Sequence, residues 1–256
     1  MAFNLQSLQR GKNALPPRII IYGAHGLGKS TFGAGAPSPV FIQTEDGLGA
    51  IDTTKFDLAK SYENVLEAIS SLYTEEHDFK TVVLDSLDWL ERLIWKTVTD
   101  RHAEKNAKIK NIDDIGYGKG FKEAADLMQN VLRGLNALRE EKGMCVICTA
   151  HVQTERFDDP TDDPYHRFRM KMHKTSSAIC SEWADVVAFA TQEKFVKKND
   201  VGFNKEVSRA MAGNRVMKLS PNPAYDAKNR FNLPAEIPLS WKAFSEAYSN
   251  AMSSST

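Results

Sequence analysis

What the chain lacks narrows its class before any motif is read. It has no net charge, because 33 lysines and arginines are cancelled by 33 aspartates and glutamates in 256 residues. The molecule as a whole therefore sets up no field that draws in a nucleic acid, and any such contact must rest on a local basic patch. It has three cysteines, Cys145, Cys148 and Cys180, too few for a disulfide-stapled secreted fold. Cys145 and Cys148 are spaced as CxxC, but they fall inside the apolar run Met144 to Ala150. Residues three apart on a strand face opposite ways, and no second pair completes a zinc site, so a structural role is expected. No apolar stretch is long enough to span a bilayer, and Met1 to Lys12 lacks the continuous apolar core of a signal peptide. The expectation is a cytoplasmic protein with no membrane partner.

Repeats and low-complexity blocks are also missing, apart from the polar tail Ser253 to Thr256. What is present is alternation. Short apolar runs at Arg18 to Tyr22, Val40 to Gln43, Thr81 to Leu84, Met144 to Thr149 and Asp185 to Ala190 read as strands. Helical spacing separates them at Tyr62 to Tyr73, Leu87 to about Ala103 and Phe121 to Leu138, with a shorter helix at Ser176 to Trp183. Later segments, Lys194 to Val196, Glu206 to Met211 and Val216 to Leu219, alternate as antiparallel strands do, and Trp241 to Met252 closes as a helix. This order implies an α/β fold with a mostly parallel twisted sheet, helices on both faces and antiparallel strands toward the C-terminus. The expected organisation is an arm over 1–16, one domain over 17–252 and a disordered tail over 253–256.

The strongest chemical signal is Gly23-Ala24-His25-Gly26-Leu27-Gly28-Lys29-Ser30, followed by Thr31. It fits the P-loop pattern, with a strand before it and a helix after it. Glycines let the backbone wrap a phosphate with its N–H groups inward, and the helix N-terminus favours negative charge. Lys29 supplies a point charge for the β- and γ-phosphates of ATP, and the Ser30 hydroxyl can ligate Mg2+. Thr81-Val82-Val83-Leu84-Asp85 is an apolar strand ending in a carboxylate, which after a P-loop is expected to hold the same Mg2+. The alternative for Asp85 is a helix cap. Glu45, just past the second strand, is the candidate general base for hydrolysis, with Asp46 or a turn-capping role as its rivals. His151, at the end of the strand through Thr149 and Ala150, is a candidate γ-phosphate sensor or a structural histidine.

Phe41-Ile42-Gln43-Thr44-Glu45-Asp46-Gly47-Leu48 resembles the segment of RecA-type recombinases that carries the catalytic glutamate. Val82-Val83-Leu84-Asp85-Ser86 resembles their metal-binding strand. Val146 to His151 resembles the strand ending in their phosphate sensor, a glutamine there and a histidine here. With Gly116-Tyr117-Gly118-Lys119-Gly120, Ala184-Asp185-Val186-Val187 and Ala227-Lys228-Asn229-Arg230, the chain is most similar to the phage Sak-type annealing ATPases over Pro17 to Tyr248. That resemblance implies a RecA-like core, ATP-linked binding of single-stranded DNA, and annealing or strand pairing by a homo-oligomer, ring or filament. It also implies the cytoplasm of a bacterial host as the setting, and a single-strand binding protein as a candidate partner.

By position in such cores, two segments would face DNA. Asp100 to Lys119 contains Arg101, Lys105, Lys108 and Lys110, and Gln153 to Lys174 ends in Tyr165 to Lys174. There Arg167, Arg169 and Lys171 alternate with Phe168, Met170 and Met172, so a strand would turn one basic face to solvent. Charge for the backbone with aromatics for the bases suits a single strand. The rival is an amphipathic edge strand, its charges paired with Asp158, Asp159, Asp162 and Asp163. Lys228 and Arg230 are candidates to reach ATP, in the same chain or a neighbouring subunit, and the rival there is a surface loop closing onto Pro234. Phe3, Leu5 and Leu8 are candidates to dock that neighbour. Three further functions share the motif: a small-molecule or nucleotide kinase with Arg167 and Arg169 as lid residues, a helicase or helicase loader, and a non-catalytic switch.

Overall fold

The computed structural model describes residues 15–159, 163–200 and 206–253. Phe3, Leu5, Leu8, Asp162 and the last three residues lie outside them. The described strands form one mixed sheet. Its parallel part is built from β1 (Arg18–Gly23), β2 (Pro39–Gln43), β3 (Thr54–Lys55), β4 (Thr81–Asp85), β5 (Cys145–Phe157) and β7 (Val186–Asp200). β6 (Tyr165–Met170), β8 (Glu206–Lys218), β9 (Lys228–Asn229) and β10 (Glu236–Pro238) pair antiparallel. The order is β10-β8-β7-β1-β5-β4-β2-β3, with β6 added to β5 and β9 to β7.

β1 is central because its sequence allows nothing else. Ile19, Ile20, Ile21 and Tyr22 are fully buried, as expected of a parallel strand covered on both faces. Alternate residues serve two cores. Ile20 and Tyr22 join Val82, Leu84, Val146 and Cys148 on the face covered by α2 (Tyr62–Thr74), α3 (Leu87–Ala103), α4 (Lys119–Glu141) and α5 (Lys174–Trp183). Ile19 and Ile21 join Val83, Cys145 and Ile147 on the face covered by α1 (Lys29–Ala34) and α6 (Trp241–Ser253). The CxxC cysteines thus belong to opposite faces. Burial pushes the Cys145 thiol up to about 12 and that of Cys148 higher still, which suits packing rather than reactivity.

Two expectations about strand extent are corrected. β5 does not stop at Thr149: it runs on through His151 to Phe157 and pairs with β6, from Val152↔Met170 to Phe157↔Tyr165. Its outer half is polar because it projects past the covered part of the sheet, so no apolar pattern marks it. The late strand fragments also merge into one long hairpin, β7 with β8, interrupted by a register shift between Gln192 and Lys194.

The candidate nucleotide site at the C-terminal edge of the sheet

β1 ends at Gly23, where the chain turns away from the sheet into α1. A Cβ on Gly23 would lie 2.4 Å from the Ala190 carbonyl oxygen of β7, so only glycine lets the loop start this close to its neighbour. Gly28 has φ 103°, the left-handed region that glycine adopts at no steric cost. The loop then delivers Lys29 inward, where it is 7% exposed and donates to the carbonyls of Gly23 and Ala24 at 3.1 and 3.0 Å. Burial holds its ammonium below the ordinary lysine range, against the pull of Asp85, Glu45 and Asp88. Ala24, His25 and Gly26 at the crest are exposed, as is Thr31.

Sheet order brings the rest together. β4 is two strands from β1, with β5 between, and Asp85 at its end accepts a 2.6 Å hydrogen bond from the Ser30 hydroxyl. Thr149 of β5 donates to the other carboxylate oxygen of Asp85. A hydroxyl and a carboxylate side by side, with no sulfur or nitrogen donor between them, is the oxygen-only donor set that Mg2+ takes. Gln43 of β2 registers with Asp85, and Glu45 follows it on the same edge. His151 registers with Gly23 and faces the same space.

One acid the sequence reading missed completes the group. Asp88, in the first turn of α3, accepts from the His151 backbone N–H at 2.9 Å and lies 3.0 Å from His151 Nδ1. Glu45 lies 3.7 Å from the same nitrogen. Glu45, Asp88 and His151 offer ligand atoms within 4.8 Å of one another, so this trio could hold a cation as well as a proton. Burial raises the Glu45 carboxyl above its usual range, although His151 opposes the shift. The signal for Asp88 was present, since Leu87 and Leu90 place it on the helix turn nearest Asp85, but an acid in a first helical turn is ordinarily read as complementing the dipole.

Lys228 and Arg230 fall elsewhere. β9 pairs with the start of β7, Val186↔Asn229, and the Asp185 N–H donates to the Arg18 carbonyl. They therefore sit at the N-terminal edge of the sheet, the length of β1 away from the loop, about 17 Å at strand rise. Lys228 donates to the carbonyls of Ser181 and Glu182, and Arg230 pairs with Asp185 at 3.2 Å. Within one chain neither reaches the phosphates, which corrects the same-chain reading of both.

The basic strand is also turned differently from expectation. Arg167 pairs with Asp226 and lies over the Phe157 ring, while Arg169 bonds Asp226 at 3.1 Å and Glu155 at 3.4 Å. Asp226 and Glu155 thus engage both guanidinium groups among the described residues, rather than leaving them turned to solvent. Phe168 is the residue turned outward, 41% exposed and stacked on Phe189 at 5.1 Å. Lys171, Lys105, Lys108 and Lys110 remain exposed. The two basic segments adjoin, because Phe121 at the start of α4 stacks on His173 at 4.2 Å, and His173 N–H donates to Glu91 of α3 at 2.9 Å.

A glycine-bound loop between a buried strand and a helix, a lysine at its base and a carboxylate-hydroxyl pair beside it define a P-loop ATPase domain. The family model described as an AAA domain matches residues 15–231, and the chain belongs to that family. No curated protein matches it. Among solved structures, the crystal structure of a RadB recombinase is similar at 16% identity, over 80% of this chain and 81% of that one, with a TM-score of 0.43. No helix among the described residues is long and apolar enough to cross a membrane.

Proposed function

We propose that the chain hydrolyses Mg-ATP under the control of single-stranded DNA, and that it works as an oligomer in annealing or strand pairing. The observation that carries the ATPase reading is the convergence of Lys29, Ser30, Asp85 and Glu45 from three strand ends onto one loop. Ser30 and Asp85 would hold Mg2+, which when bound supplies positive charge against the phosphate oxygens. Lys29 leaves its backbone carbonyls for the β- and γ-phosphates. Glu45 is the base that takes a proton from water, and its raised pKa makes it a stronger acceptor at neutral pH than an exposed carboxylate. His151, anchored by Asp88, fixes the Glu45 side of the site. A cleft of about 470 Å³ beside Thr31, walled by Phe32, Leu239 and Trp241, suits the nucleobase.

The DNA part rests on the two adjoining segments. Exposed Lys105, Lys108, Lys110 and Lys171 supply charge, while Phe168 and the fully exposed Tyr117 present ring faces. Arg167 and Arg169 would shape that surface through Asp226 rather than bind phosphate directly. Half-exposed Arg230 keeps a place as a cation offered to a neighbouring subunit's ATP. The test is ATP turnover with and without a single-stranded oligonucleotide across a salt series, with Lys29→Ala as the blank. The expected result is stimulation that fades as salt rises. Turnover of the same rate with and without DNA would remove the DNA part and leave the ATPase.

A further inference from the structure

The candidate site has more negative than positive charge of its own. Asp85, Asp88 and Glu45 face Lys29 and His151, and the proposed ligand brings several more negative charges. Beside Mg2+, a further cation would offset this charge, and the chain has one in place. Arg215 lies on β8, paired with Gln192 of β7. Met217 and Leu219, two and four residues on, are fully buried in the core that also holds Phe32 of α1. Period-two alternation therefore turns Arg215 to the face on which the P-loop helix packs. The register shift after Gln192 adjoins it, and such irregularities re-aim a side chain. A Cβ built on Gly28 would lie 3.5 Å from Arg215 Nη1.

The guanidinium is exposed and, among the described residues, has no hydrogen-bond or ion-pair partner. The nearby carboxylate of Glu193 accepts from the Asn214 backbone instead, at 3.3 Å. Its main chain is fixed on both sides, because the Arg215 carbonyl also accepts from Leu239 N–H at 3.0 Å. An arginine so anchored, unpaired, and aimed at a phosphate loop differs from Arg18, Arg139, Arg156, Arg167, Arg169 and Arg230, which all have carboxylate partners.

From this geometry we infer that Arg215 binds the phosphates of the nucleotide held by its own chain, closing the site from the β8 side. The inference rests on the nucleotide reading of the P-loop and adds to it the missing cation. Sequence gave no hint of it, since a lone arginine in a polar strand matches no motif. It also separates two arginine roles: Arg215 serves the chain's own nucleotide, while Arg230 is available only to a neighbour.

The test is equilibrium binding of fluorescent ATP, ADP and AMP analogues with Mg2+ to the full chain, alongside thermal melting. Arg215→Ala is expected to weaken ATP and ADP by about 10- to 100-fold, the range for a lost charge-assisted hydrogen bond. AMP should change far less, melting should be unchanged, and Arg215→Lys should recover part of the loss. Wild-type affinity in Arg215→Ala, with binding lost in Lys29→Ala, would overturn the inference while leaving the nucleotide reading intact. An equal loss for all three nucleotides with a lowered melting temperature would assign Arg215 a structural role and overturn it as well. Recovery of binding on mixing Arg215→Ala with Lys29→Ala protein would show a cation supplied between chains, against the same-chain assignment. A wild-type chain that binds none of the three would instead remove the reading on which the inference stands.

Discussion

At the N-terminal end of β1 and β7, Asp185 is held by Arg18, Arg139 and Arg230, at N···O distances of 2.8, 3.7 and 3.2 Å. At the C-terminal edge of the sheet, Asp85, Asp88 and Glu45 gather around Lys29 and His151. Both edges are charged and largely buried, yet the charges close on themselves only at the first. Burial would raise the Asp185 carboxyl, but hydrogen bonds and charge from Arg18, with Arg139 behind it, hold it below the usual range. At the second edge Lys29 is pulled below its range and Glu45 pushed above its own, the pattern of groups waiting for a partner from outside. A network that satisfies itself secures the fold, and one that does not is where a ligand completes it.

The sharpest way to break that comparison is at Glu45. Glu45→Gln removes the proton acceptor but keeps shape and hydrogen bonding, so ATP turnover should fall by about 10²- to 10⁴-fold, with nucleotide affinity retained. Single-turnover hydrolysis and analogue binding measure the two separately. Loss of binding to the same extent as turnover would make Glu45 part of the cradle rather than the base.

Asp185→Ala should do the converse. It strips a buried carboxylate from three arginines, one of them, Arg139, almost fully buried. Leaving such a charge unpaired costs about 3 kcal/mol, to be seen as a lower urea midpoint. The folded fraction should bind nucleotide as the wild type does, because the site lies at the other end of β1. A drop in affinity of the folded protein would show that the two edges are coupled.

The same division explains what could be read from the sequence. Strands β1, β2, β4, β5 and β7 announce themselves because both of their faces are buried, and the phosphate loop does so because its chemistry is compressed into eight consecutive residues. Asp85 and Glu45 were findable as strand-end acids. Residues that depend on sheet order were not. Arg215 approaches Gly28 only because β8 lies two strands from β1, with β7 between, and Arg167 meets Asp226 across 59 positions of sequence. β6 misled for a related reason: its alternation was correct, but which face met water was decided by Asp226, far along the chain. β9 and β10, of two and three residues, are too short to carry any period.

The smallest expected effect concerns pH and the Asp88–His151 pair. Burial alone would raise Asp88 above its ordinary 3.8, but hydrogen bonds from the His151 ring and backbone hold it lower. His151 is raised above 6.5, first by its hydrogen bond to Asp88, with burial opposing. A depressed carboxyl contributes stability that is present above 3.8 and is lost as pH falls through its lower folded value. A raised histidine contributes stability that is full below 6.5 and is lost as pH rises through its higher folded value. The pair therefore stabilises most between these two ordinary values, and Asp88→Asn should cost most there and progressively less above neutrality. His151 is only partly buried, which keeps the effect small. Urea midpoints of wild type and Asp88→Asn from pH 5 to 8 read it directly, and a difference that stays constant across that range would mean that Asp88 leaves the protonation of His151 unchanged.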